Sequence, residues 1–222
     1  MRIAIMVILG VASASVMRGS VLVGGPPNAN NCVPFSCPAL FGVTQYEQLY
    51  AAGDFPGRMT ITALTFFNTQ FPEGSLSAGI FTLSLSTVGD PVGAFTRMVT
   101  LGPDATVIFS GTLGSVPFGG SVTLGGDTNF EYDPANGSLL LSVQITGGSL
   151  GGVALDSRND AVGIFSRASD GVASGNIGFG LVTQFETAPE PSGISLGLFG
   201  MGALALLALR RRRSLRSGAY HG

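Results

Sequence analysis

The chain of 222 residues has no tryptophan, no lysine, one histidine, two cysteines and only 11% charged residues. Each shortage closes off chemistry. The one histidine, His221, stands next to the last residue. Any domain upstream therefore lacks the base of Ser/His/Asp and Cys/His machinery, and the imidazole ligands of common metal centres. Cys32 and Cys37 are too few for a four-cysteine zinc site. With no tryptophan and four tyrosines, no row of exposed aromatics suited to sugar rings stands out. Without lysine, all positive charge rests on 11 arginines. Arg2, Arg210, Arg211, Arg212, Arg213 and Arg216 crowd the two ends, which leaves Arg18, Arg58, Arg97, Arg158 and Arg167 against all 13 acidic residues. A body this acidic repels nucleic acid and anionic lipid, so no nucleic-acid partner is expected. No run of 12 residues before position 188 has helical periodicity, which argues against a helical body.

The two ends carry the strongest signals. Met1-Arg2, the apolar run 3–11 and Ala12-Ser13-Ala14 read as a secretory signal peptide over residues 1–20, cleaved near 14 or 20. The alternatives are an uncleaved anchor or a buried strand. At the other end, Pro189 and Pro191 set an extended, accessible break, because neither fits a helix interior or a central strand. Residues 192–209 carry no charge. At ~1.5 Å per residue, 194–209 make roughly 24 Å of helix against a hydrocarbon core of ~30 Å. Ser192, Gly193 and snorkelling arginines supply the rest. Arg210, Arg211, Arg212 and Arg213 hold the C-terminus on the cytoplasmic side, so residues 21–187 are expected outside. Gly193 and Gly197 form a G-x-x-x-G, which packs membrane helices closely but is also ordinary membrane-helix composition.

Pro189-Glu190-Pro191, the Gly/Ala/Leu-rich span and the four arginines occur in that order, and together they resemble the PEP-CTERM sorting signal of bacteria that make extracellular polysaccharide. The resemblance implies that the tail 188–222 is recognised and removed by a membrane-embedded enzyme, an exosortase. Pro189, Glu190 and Pro191 would then be the recognition tripeptide, 192–209 a transient membrane anchor, and Arg210, Arg211, Arg212 and Arg213 the stop. The protein would be exported, anchored by its C-terminal helix before processing, and afterwards at the cell surface or extracellular, with extracellular polysaccharide as a partner. Residues 214–222 are somewhat long for the family. An ordinary C-terminal anchor with prolines in its linker is the alternative.

Between the ends, composition makes 24–31 a loop or linker. Cys32 and Cys37, spaced C-x4-C in an exported chain, most simply form a disulfide; free thiols and a metal ligand pair are the alternatives. Short apolar runs separated by turn residues then predict strands at 43–50, 60–67, 81–86, 105–110, 121–124, 129–132, 138–146, 151–155, 161–165 and 178–185. Turns are predicted at 54–57 and 71–74, and a break at 89–91. Asp133-Pro134-Ala135-Asn136-Gly137 is the best hairpin signal. Leu83, Leu85, Leu139, Leu141, Val143 and Ile145 are the predicted core, alternating with residues such as Leu140, Ser142, Gln144 and Thr146. The expected fold is all-β, an antiparallel sandwich or jelly roll of nine or ten strands.

Carboxylates are the remaining candidates for chemistry. Asp127, Asn129, Glu131 and Asp133 share one face of a strand, where four oxygen-bearing side chains suit Ca²⁺ or form the solvated face of an edge strand. Tyr132 stands where an EF-hand loop needs glycine. Asp156 and Asp160 flank Ser157-Arg158-Asn159 and are the nearest approach to a glycosidase pair. The glycine pairs at 147–148 and 151–152 lack the Lys-Ser/Thr ending of a phosphate loop, and Asn136-Gly137-Ser138 reads as turn chemistry rather than a glycosylation site. The leading expectation is a non-catalytic exported surface or matrix protein with no cofactor and no metal. The second is a carbohydrate-binding module, and the third a carboxylate-dependent glycan hydrolase.

Overall fold

Alternation of apolar and polar residues makes strands whose apolar sides must meet another layer. The computed structural model describes residues 19–70, 74–94, 97–113, 120–170 and 172–189, and residues 18–188 form a compact unit of their own. The strands in chain order are β1 (Gly19–Val23), β2 (Ala29–Asn31), β3 (Gln45–Tyr50), β4 (Met59–Asn68), β5 (Ile80–Val88), β6 (Thr106–Thr112) and β7 (Gly120–Tyr132). There follow β8 (Ser138–Thr146), β9 (Leu155–Arg158), β10 (Phe165–Ser169), β11 (Val172–Ile177), β12 (Gly180–Leu181) and β13 (Thr183–Thr187). A one-turn helix, α1 (Pro38–Phe41), lies between β2 and β3. All strand pairs are antiparallel, in three sheets of order β1-β13-β4-β7, β11-β10-β3-β8-β5-β6 and β12-β9-β2.

One core takes side chains from both larger sheets. Tyr50 of β3 meets Phe185 of β13 edge-on at 5.0 Å, and Phe185 meets Phe55 at 5.1 Å. Phe35, between the two cysteines, lies 4.8 Å from Phe66 of β4 and 5.7 Å from Phe81 of β5. Cys32 and Cys37 form a disulfide that closes this loop. The loop is held by Ser36 on both sides: its carbonyl accepts from Gly151 N at 2.5 Å, and its hydroxyl accepts from Val153 N at 2.9 Å. Each such aromatic pair adds about 0.5–1.5 kcal/mol beyond its burial. Leu83, Leu85, Leu139, Leu141, Val143 and Ile145 all lie in this core.

Several sequence expectations need correction. β7 and β8 do not form the hairpin expected at 133–137. β7 pairs with β4, whereas β8 lies between β3 and β5, so the turn carries the chain from one sheet to the other. Pro134–Asn136 make a 3-10 turn capped by Asp133, whose side chain accepts from Ala135 N, and Gly137 leaves it at φ 139°. Asn136-Gly137 is thus spent on a sheet-to-sheet corner, not a two-residue hairpin turn. The expected strands at 121–124 and 129–132 are one strand, with the ladder shifted near Gly125, where an added Cβ would lie 2.5 Å from Ala63 Cα. The expected loop at 24–31 contains β2, and β1 precedes it. Residues 151–154 have no regular structure; the strand there is β9.

Leu140 and Ser142 do not face solvent either. The stretch 88–104, apart from residues 95 and 96, folds over the outer side of the six-stranded sheet. Val92, Met98, Val99 and Leu101 pack there on Leu49, Val88, Leu140 and Ala168 of the sheet. Hydrogen bonds from Gly102 N to Ser86 Oγ and from Ser166 Oγ to Val92 O fasten it.

The signal peptide expected over 1–20, apart from Gly19 and Ser20, lies outside the described residues. So do residues 71–73 of the turn expected at 71–74, Glu190, Pro191, the span 192–209 and Arg210, Arg211, Arg212 and Arg213. Among the described residues no helix is long and apolar enough to cross a membrane.

Candidate functional site

The inner side of β3 ends in a polar group rather than an apolar one. Tyr46 and Gln48 are fully buried there. The Tyr46 hydroxyl donates to Gln48 Oε1 at 2.6 Å, Leu181 N donates to the same oxygen at 2.7 Å, and Gln48 Nε2 donates to Leu181 O at 2.8 Å. The glutamine thus stitches β3 to β12. Burial pushes the Tyr46 phenol well above its usual range, so it stays a neutral donor.

β10 runs beside β3 with Arg167 opposite Gln48 and Ser169 opposite Tyr46, and Asn176 of β11 lies on the far side of Arg167. Pairing puts these side chains on one side of the sheet. The Arg167 guanidinium lies 3.8 Å from the centre of the Phe179 ring, with the Tyr46 phenol close by. Burial lowers its pKa, yet a guanidinium remains charged at any physiological pH. Among the described residues the ion pairs are Arg58–Asp133 and Arg158–Asp160; Arg167 belongs to neither. Beside it opens a pocket of about 130 Å³ lined by Asn31, Val33, Phe41, Ser169 and Asn176. β2 and the disulfide loop bring in Asn31 and Val33, and α1 brings in Phe41, which is 49% exposed.

Sequence reasoning missed this site. Arg167 entered it only as one of five body arginines, and an arginine without an acidic partner is a property of the folded chain.

On the opposite side of β3, Glu47 is fully buried under the 88–104 stretch. Its carboxyl accepts from Val99 N at 2.8 Å and from Gln45 Nε2 at 3.1 Å. Burial pushes it up to about 7, against these two hydrogen bonds. No sequence signal pointed to this: Gln45 and Glu47 share one side of the strand, and a distant stretch buries Glu47.

The predicted carboxylate groups are dispersed. Asn129 and Glu131 face solvent, and Glu131 accepts from Thr60 Oγ1 at 2.7 Å. Asp133 is taken by Arg58 at 2.7 Å, whose hydrogen bond holds its carboxyl below the usual range. The Asp127 side chain lies outside the described residues. Asp156 is buried and accepts from Thr69 N and Oγ1 at 3.0 and 2.7 Å, while Asp160 is exposed and paired with Arg158 at 2.6 Å. Among the described residues no three acidic, cysteine or histidine side chains are grouped to hold a metal.

At the C-terminal end, β13 stops at Thr187 and Ala188 N still donates to Thr60 O at 2.9 Å. Pro189, the last described residue, has no N–H to continue that ladder. The family model of the PEP-CTERM protein-sorting motif matches residues 187–213, which include Pro189, Glu190, Pro191 and the four arginines. No curated protein and no solved structure matches the chain. The sheet therefore ends where a sorting signal begins: at residues 187–213 the chain carries a PEP-CTERM protein-sorting motif, the mark of an exported protein sorted by an exosortase.

Proposed function

We propose that the chain is a non-catalytic exported protein of the bacterial cell surface or extracellular matrix, delivered by its tail and serving through its β body. The observation that carries this reading is the sorting motif joined to the last strand with only Ala188 between the strand and Pro189. In this reading residues 1–20 are the signal peptide, 21–187 a β-sandwich, and 188–222 a removable tail with its membrane span at 192–209. The non-catalytic part is supported by the acidic residues, since Glu131, Asp133, Asp156 and Asp160 each serve a separate structural partner. The experiment is mass spectrometry of the protein from hosts with and without an exosortase. The expected result is loss of the tail only in the exosortase-bearing host. A full-length tail in both hosts overturns processing and leaves a permanent anchor.

One observation favours a second reading, a carbohydrate-binding module for extracellular polysaccharide. The pocket beside Arg167 carries amide and hydroxyl groups and one exposed aromatic ring, the means by which proteins hold sugars. Retention of the protein on polysaccharide from its own host, and release by soluble polysaccharide, is the measurement; free passage through such a matrix sinks it.

A further inference from the structure

A guanidinium that has lost most of its water needs its charge and its donors satisfied. Arg167 has five N–H donors. Among the described residues, the Tyr46 phenol lies close by, Phe179 offers a ring face, and no carboxylate lies within 4.0 Å. The contact with the Phe179 ring helps hold the guanidinium in place, and its fork of donors suits a planar, two-oxygen group. The chain has 13 acidic residues, yet among the described residues none fills this place. We propose that the pocket binds a single carboxylated sugar residue, with Arg167 holding the carboxylate.

The rest of the lining favours a sugar over a simple anion. Ser169 and Asn176 offer both donors and acceptors, as hydroxyl groups require, while the Asn31 amide is tied to the Val33 backbone at the edge of the pocket. The exposed Phe41 ring is an apolar plane at the same pocket, suited to the C–H face of a pyranose. A volume of about 130 Å³ admits one ring-sized group; pockets for drug-sized ligands run to ~300–1,000 Å³. A polysaccharide would thus be bound through one acidic residue at a time, and repeated copies of the protein along a chain would gain strength by number rather than by single-site affinity. The surrounding negative charge adds selectivity, since it disfavours an anion wherever Arg167 is not within reach. This inference rests on the carbohydrate-binding reading and adds the charge of the sugar.

The test is calorimetric titration of the full-length protein in neutral detergent with glucuronate, glucose and acetate. Glucuronate is expected to bind at least about tenfold more tightly than glucose or acetate, and more weakly as salt rises. Arg167→Gln should weaken glucuronate by about tenfold or more, and Arg167→Lys by less, since it keeps charge but loses the fork. Arg97→Gln, at an exposed arginine away from the pocket, should change nothing. Because Arg167 is partly buried, Asn176→Ala at the exposed rim serves as the second variant: it should weaken glucuronate and leave acetate unchanged. Equal binding of glucose and glucuronate overturns the acidic assignment while the carbohydrate reading stands. Equal binding of acetate and glucuronate overturns the sugar assignment. Absence of glucuronate binding overturns the inference, whereas retention on the host polysaccharide reports separately on the broader reading.

Discussion

The Val99 amide donates to Glu47 at 2.8 Å, and the carboxyl it reaches has no contact with solvent. A buried carboxyl raised from 4.5 to about 7 keeps its proton in the folded state at pH values where the unfolded chain has lost it. Its contribution to stability is complete below 4.5 and is lost as pH rises through about 7. Glu47→Gln removes the charge and keeps a polar group of the same shape. At pH 8 the variant should be more stable than wild type by on the order of 2 kcal/mol, and near pH 5 the gap should close. Urea unfolding at both pH values measures it. Asp54, pushed up to about 6 by burial, gives wild type and variant the same background slope. An offset unchanged between the two pH values would falsify this account of Glu47.

Phe35 belongs to a loop of six residues closed by the Cys32–Cys37 disulfide and touches both large sheets. Phe35→Ala should therefore cost about 3–5 kcal/mol, as large-to-small changes in cores do. Replacing both cysteines by serine should cost about 2–4 kcal/mol. The folded protein purified under oxidising conditions should take up no alkylating agent until reduced. Labelling of both cysteines without reductant would count against the bond.

Gly137 sits at φ 139°, and an added Cβ would lie 2.3 Å from Val88 O. Gly137→Ala should cost about 1–3 kcal/mol. Tyr132, whose hydroxyl donates to Gly137 O at 2.8 Å, braces the same corner. Tyr132→Phe should cost about 1 kcal/mol. Thermal melts of the two variants order these effects; a silent Gly137→Ala means the corner is not strained.

Glu190 is the only charge between Pro189 and Arg210. Glu190→Ala should leave membrane insertion intact, because the apolar span is untouched, yet let the longer form accumulate in the exosortase-bearing host. Neutralising Arg210, Arg211, Arg212 and Arg213 should instead reduce retention at the membrane before cleavage. Cell fractionation and mass measurement separate the two. If both variants are processed like wild type, neither feature is read.

β1 begins at Gly19, and Gly19 and Ser20 pair with Thr187 and Glu186. Cleavage near 14 spares these pairs, whereas cleavage near 20 deletes them. N-terminal sequencing of the exported protein should therefore find an end before Gly19; an end at Val21 would show that β1 is dispensable in part.

What the sequence disclosed was whatever is written locally. The alternation of Leu139, Leu141, Val143 and Ile145 is a property of nine consecutive residues, and it placed them in the core. The sorting motif is likewise linear and stands clear of tertiary context. What stayed hidden depends on distant partners. Leu140 and Glu47 are buried by Val92, Val99 and neighbours, in a stretch without regular alternation. The turn at 133–137 has the chemistry of a hairpin, but its strands have better partners elsewhere. Arg167 became a candidate only in the folded chain, where no acid among the described residues lies beside it.

The pairing of β1 with β13 also sets a schedule for the exported chain. Among the described residues β1 has β13 as its only ladder partner, so during export β1 waits with one side unsatisfied until β13 has crossed. Only Ala188 then separates that partner from Pro189. Completion of the four-stranded sheet and arrival of the sorting motif therefore fall together in translocation. A chain that stalls earlier exposes the open edge of β4, a template for aggregation and for proteolysis. Release from the membrane is thus timed to a body that has just become able to close.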